Sequence, residues 1–82
     1  MKVYTVKIER RGRESETSGT LQELIKYFSY TLEVGQSWQH EKGNKKIDRN
    51  PKSISSLIKN INNAKSNSAA NGCSDTYYSL VK

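Results

Sequence analysis

Apolar and polar residues alternate from Val3 to Arg10, placing Tyr4, Val6 and Ile8 on one face and Thr5, Lys7 and Glu9 on the other. Period-two alternation of this kind predicts a half-buried β-strand. Arg11-Gly12-Arg13 supplies a turn, and Glu14 to Ser18 can return as a polar edge strand whose charges discourage further pairing. The period then changes. Leu21, Leu24, Ile25, Phe28 and Leu32 recur at helical spacing behind Thr20 and Glu23, whose separation suits a reciprocal capping box. Lys26 and Tyr30 fall away from that stripe, Tyr27 sits at its border, and Gly35 is the expected stop. Asn50-Pro51 reads as the cap and first residue of a second helix with Ile54, Leu57, Ile58, Ile61 and Ala64 as its stripe. Its later residues are mostly Asn and Ser, weak helix formers that need tertiary support, and Gly72 is the expected terminator. Thr76 to Val81 reads as a last strand, with Tyr78 and Leu80 on one face and Tyr77 and Val81 on the other. The order predicts a single α+β domain over 1–82, an antiparallel sheet of about three strands covered on one face by two helices.

Composition makes that domain a thin one. Hydrophobic residues are 33% of the chain, and Leu, Ile, Val and Phe together are sixteen of 82. A core of this size rarely supplies more than about 3–5 kcal/mol, which gives the fold reason to gain from a partner or from self-association. No apolar run reaches the roughly 18 residues of a membrane span, and the first residues lack a signal-peptide core, so a cytoplasmic protein away from membranes is expected. One cysteine excludes an internal disulfide, and one histidine with one cysteine gives no convincing zinc-ligand spacing; no metal or cofactor is expected. Fourteen Lys and Arg against eight Asp and Glu leave a net charge of +6, which favours phosphates, nucleic acid or acidic protein surfaces.

The charge is concentrated. The stretch from Gln36 to Arg49 exceeds the usual connection between packed helices and holds the single Trp38 and the single His40. Lys42, Lys45, Lys46 and Arg49 follow, with Lys52 just beyond, and Lys42-Gly43-Asn44-Lys45 can turn tightly enough for a small hairpin. An aromatic ring beside clustered cations suits a base and its phosphates, the ring stacking and the cations pairing. Trp38 could equally close the core at the end of the first helix with the lysines solvated around it. Asn60, Asn63, Asn67 and Asn71 recur at three- and four-residue spacing and can line one helical face, offering amides to a nucleotide or serving as a plain polar surface. Arg10, Arg11 and Arg13 surround the first turn, where guanidinium forks suit phosphate or carboxylate contacts. Catalysis finds little footing. His40 and Glu41 are sequence neighbours, which rarely face one another productively, no nucleophile elbow or phosphate loop is present, and Cys73 shows no activating neighbour. A non-enzymatic protein is expected.

Ser29-Tyr30-Thr31-Leu32-Glu33-Val34-Gly35, then Ser37-Trp38-Gln39-His40-Glu41-Lys42-Gly43-Asn44-Lys45-Lys46-Ile47, with Asn62-Asn63-Ala64 and Asn67-Ser68-Ala69-Ala70-Asn71-Gly72, resembles small accessory proteins of tailed bacteriophages. The resemblance runs over about residues 20 to 80. It implies expression in the cytoplasm of an infected bacterium, where such host-takeover proteins disable defence systems or redirect host enzymes, and it carries no site assignment. Residues and resemblance together lead to a binder that antagonises host defence by capturing a nucleotide or nucleic acid. The alternatives are an anti-CRISPR-like inhibitor docking on a host defence protein and a sequence-tolerant nucleic-acid-binding regulator. The thin core and five tyrosines also make a homo-oligomer plausible.

Overall fold

The computed structural model describes residues 1–69 and 76–81. Three strands, β1 (Tyr4–Arg10), β2 (Arg13–Gly19) and β3 (Thr76–Leu80), form one antiparallel sheet in the order β2-β1-β3. Helices α1 (Leu21–Tyr27), α2 (Ser29–Ser37) and α3 (Ile54–Ala69) pack against it, giving the expected α+β architecture. The alternation in β1 works as its sequence dictates: Val6 is fully buried, Tyr4 and Ile8 pack against the core, and Lys7 and Glu9 face outward. The β1–β2 hairpin closes through Arg11 and Gly12, both at positive φ (50° and 80°). Positive φ at both central residues is the type I′ geometry that matches strand twist. Glycine adopts it freely, whereas an arginine there costs about 1–2 kcal/mol.

Thr20 caps α1 by accepting the Glu23 N–H (3.2 Å), while the Glu23 carboxylate accepts the Thr20 N–H (2.8 Å). These bonds hold the Glu23 carboxyl below its ordinary pKa. The expected single helix to Gly35 is two segments joined at Phe28 (φ −94°, ψ 11°), although the hydrogen bonds Phe28 N to Leu24 O and Leu32 N to Phe28 O run through the joint. Ser29, Tyr30 and Thr31, which follow the joint, are weaker helix formers than the residues before it. The apolar stripe crosses the joint unbroken: Leu24, Phe28 and Leu32 are all buried. Phe28 meets Tyr27 edge-to-face at 4.9 Å on one side and Tyr78 at 5.2 Å on the other.

Gly35 does not stop the helix; α2 continues to Ser37 and Trp38 forms its C-cap. The residue marks the place where α2 crosses α3. A Cβ on Gly35 would overlap the Cα and Cβ of Ala64, so the two backbones approach as closely as a glycine allows. Nor does α3 begin at Asn50-Pro51. The Asn50 N–H closes a turn on the Asp48 carboxylate (2.9 Å), Pro51 is buried ahead of the helix, and Ser53 takes the capping role. Its Oγ accepts the Ser56 N–H (3.2 Å) and its carbonyl the Leu57 N–H (3.0 Å). The expected terminator Gly72 lies outside the described residues. In β3, Tyr78 is buried as its alternation predicts, whereas Leu80, on the same face, is 43% exposed.

Hydrogen-bond polarity explains how the edge of β3 is closed. Val81 N–H donates to Thr5 O (2.8 Å), so in this ladder the odd-numbered β1 residues form the hydrogen-bonded pairs. Tyr78, opposite Ile8, therefore turns its own N–H and C=O to the free edge. Asn62 of α3 meets both: Oδ1 accepts the N–H (2.8 Å) and Nδ2 donates to the carbonyl (2.9 Å). One side-chain amide thus stands in for a neighbouring strand.

Candidate nucleic-acid interface

Residues 38–53 form no strand or helix, so the hairpin expected at Lys42–Lys45 is absent. Gly43 (φ +84°) instead serves a turn in which Asn44 N–H donates to Glu41 O (3.0 Å). A loop of this length needs partners for its backbone groups, and side-chain amides supply them. Asn67 of α3, 1% exposed, accepts the Lys45 N–H (2.9 Å) and donates to the carbonyls of Lys45 (2.8 Å) and Gly35 (3.0 Å). Asn60 accepts the Asp48 N–H (2.8 Å) and donates to Ser56 O (2.8 Å). Gln39 accepts the Ile47 N–H (3.1 Å), Gln36 donates to the Ile47 carbonyl (3.4 Å), and the Ile47 side chain is buried in the core. Asn44 Nδ2 donates to Trp38 O (2.6 Å), folding the loop back on its own start.

These anchors take up one part of the expected site and leave another part outside. Asn60 and Asn67 were candidates for ligand contacts; their amides are turned inward and used by the loop backbone. Asn63 is half-buried beside them on α3, and Asn71 and Cys73 lie outside the described residues. Helical spacing alone cannot say which flank of an Asn row faces inward. The buried Ile47 was the available signal: an isolated aliphatic residue within a basic stretch marks where the loop dips to the core.

What remains outside is the aromatic and cationic part. Trp38 is half-buried, and its backbone is held by its N–H to Gly35 O (3.3 Å) and by its carbonyl accepting from Asn44 and Glu41. His40, Lys42, Lys45 and Lys46 are exposed. Lys45 and Lys46 sit between the backbone anchors at Lys45 and Ile47, and the Asn44–Trp38 and Ile47–Gln39 bonds bring them beside the start of the loop. Among the described residues, Lys42, Lys45 and Lys46 make no ion pair. Arg49 does, reaching Glu33 of α2 at 3.5 Å, and it lines a groove with Lys26, Gln22 and Asn50 instead of joining the lysines. The acidic residues of the sheet lie elsewhere. Glu9 and Glu14 flank Lys7 on its open face (3.4 and 3.2 Å), and those two carboxylates, Glu14 foremost, raise the pKa of Lys7.

Arg10, Arg11 and Arg13 remain together at the tip of the β1–β2 hairpin, on elements separate from the loop. Among the described residues no group of three His, Cys, Asp or Glu side chains could hold a metal ion, and no helix is long and apolar enough to cross a membrane. Comparison with family models, curated proteins and solved structures gave no match. The chemistry must therefore be read from the geometry.

Proposed function

We propose that this protein is a non-enzymatic binder of the bacteriophage accessory type that antagonises a bacterial defence system by capturing a nucleic-acid or nucleotide ligand on the loop that begins at Trp38. The supporting observation is the combination of a backbone pinned by Asn67, Asn60, Gln39 and Gln36 with exposed lysines at 42, 45 and 46 that make no ion pair among the described residues. A fixed path presents the ammonium groups at set spacing, which reduces the ordering cost of binding. Exposed lysines act as point charges that follow a phosphate backbone, and an indole such as that of half-buried Trp38 is the side-chain type on which bases stack. Of the two ligand forms, this arrangement suits a strand better than an enclosed mononucleotide.

Trp38 is the only tryptophan, so its fluorescence reports this site alone. Titration with a short single-stranded oligonucleotide should quench it, and the log–log slope of affinity against salt should be about −2 for three phosphate contacts. Replacing Lys45 and Lys46 by Ala should weaken binding and flatten that slope while leaving the urea midpoint in place. Undiminished affinity in that variant, or quenching with no salt dependence, would overturn the reading.

A second reading, inhibition of a host defence protein by direct docking, is favoured by one observation: Tyr30 and Tyr77 are 76% and 59% exposed, on a helix and on the open sheet face. Tyrosine is enriched at protein interfaces. A host protein retained at fixed stoichiometry through nuclease treatment would support it over nucleic-acid capture.

A further inference from the structure

The arginine hairpin tip carries two local costs in four residues. Arg10 and Arg13 are direct cross-strand partners, a like-charge pairing that weakens a hairpin. Arg11 occupies a positive-φ position where Asn, Asp or Gly would be favoured. The neighbouring pair, Glu9 opposite Glu14, shows how such a clash is ordinarily relieved, since Lys7 bridges both carboxylates. Among the described residues no ion pair involves Arg10, Arg11 or Arg13. Local sequence that opposes its own fold concentrates where function requires it.

The strand register decides where these groups point. Arg10 shares the face of Val6 and Ile8, the face covered by the helices, and Arg13 shares it as the partner of Arg10. The hairpin outruns α1, so the two guanidinium groups overlook an open recess of about 750 Å³ instead of a helix. Arg11, Ile8, Ser15 and Tyr27 complete the lining with Glu14, whose carboxylate is held on Lys7. Tyr27 is 62% exposed, yet its ring is braced edge-to-face on Phe28, and Arg10 Nε donates to Thr76 Oγ1 at 3.3 Å. A recess of this volume matches small-ligand sites. Its lining combines three forked cations and one braced aromatic ring with Ile8, Ser15 and the one carboxylate, Glu14, that Lys7 already pairs.

We propose that this recess is a second binding site, independent of the lysine loop, for a phosphate chain carried on a nucleobase, with the phosphates on Arg10, Arg11 and Arg13 and the base against Tyr27. The same chemistry is present in a free nucleoside triphosphate and in the 5′-phosphorylated end of a strand.

The test is a ¹H–¹⁵N NMR titration of the full chain with ATP, with inorganic tripolyphosphate and with a 5′-phosphorylated oligonucleotide, read at the Tyr27 amide and the arginine Nε–H signals. ATP should shift the hairpin tip and bind more tightly than tripolyphosphate, and Tyr27→Ala should erase that difference. Arg11→Gly relieves the positive-φ strain, so it should raise the unfolding midpoint while weakening ATP at least tenfold; loss of binding then cannot be loss of fold. Arg13→Ala should weaken ATP similarly. Trp38→Ala should leave the tip shifts unchanged, which separates this site from the loop. Tighter binding of the phosphorylated oligonucleotide than of ATP would assign the natural ligand to a strand end; the reverse would assign it to a free nucleotide. ATP affinity within twofold of the parent in both Arg11→Gly and Arg13→Ala, or shifts confined to the lysine loop, would overturn the proposal.

Discussion

Removal of the Asn67 amide is the sharpest perturbation of the loop. The side chain makes three hydrogen bonds, to Lys45 N–H, Lys45 O and Gly35 O, and is almost completely buried. Each such bond contributes a net of about 0.5–1.5 kcal/mol, and a buried group left without a partner costs more. Gly35 O keeps the Trp38 N–H, and water can reach Lys45, whose side chain is exposed. Asn67→Ala should therefore cost about 2–3 kcal/mol, more than half of the roughly 3–5 kcal/mol expected for a core of this size. With a urea m-value of about 1 kcal/mol/M, the midpoint should fall by about 2–3 M. Asn67→Asp sharpens the test, because a carboxylate accepts from Lys45 N–H but cannot donate to the two carbonyls. Burial beside those carbonyls raises the folded-state pKa of the new carboxyl above its unfolded value of about 3.9. The variant should thus be least impaired below about pH 4 and lose stability as pH rises above it. A midpoint shift below about 0.5 M for Asn67→Ala, or a pH-independent deficit for Asn67→Asp, would refute the account of the amide as a two-way backbone clamp.

Gly35→Ala should cost about 3 kcal/mol or more, since its Cβ meets the Ala64 backbone instead of a movable side-chain end. Ala64→Gly in the same chain should recover part of that loss, and a double-mutant cycle by urea unfolding measures the coupling. Asn62→Ala uncovers the Tyr78 edge groups, so it should lower stability by about 1–3 kcal/mol and increase self-association, visible in sedimentation at rising concentration. Thr20→Ala should cost about 1 kcal/mol of thermal stability by loss of the cap. The depressed pKa of Glu23 means its contribution is present above its unfolded value and fades as pH falls through the folded one, a dependence that Glu23→Gln should remove from an acid-unfolding series.

The elements whose signals are local were legible in the sequence. The β1 alternation, the Thr20–Glu23 box and the Leu24–Phe28–Leu32 stripe each contain their own instruction, and all three are present in the structure. Gly35 was misleading because one residue type serves two purposes, helix termination and close helix crossing, and only the position of Ala64 decides between them. Asn50-Pro51 carries a sound cap signal that loses to Ser53 because Asp48 turns the chain first and Pro51 is buried ahead of the helix. The Asn row of α3 was visible as a face, but the loop groups that Asn60 and Asn67 hold are backbone N–H groups 12 and 22 residues away in sequence. Of the candidate residues, Lys42, Lys45 and Lys46 are exposed, and Arg10, Arg11 and Arg13 surround the β1–β2 turn that the sequence placed there. Arg49 was diverted by Glu33, a residue one helix away. The recess beside Tyr27 depends on how far the hairpin outruns α1, a length that no local pattern encodes.

The loop clamps have an evolutionary corollary. Asn67, Asn60, Gln39 and Gln36 grip peptide groups, which are the same whatever side chain follows. The route of the loop is thereby written in the helices and their flanks, while positions 42, 45 and 46 are left free to change. Such a scaffold can exchange its ligand-facing residues one at a time without re-inventing its backbone. Libraries randomised at those three positions should keep their fold at high frequency, whereas libraries randomised at the four clamps should not.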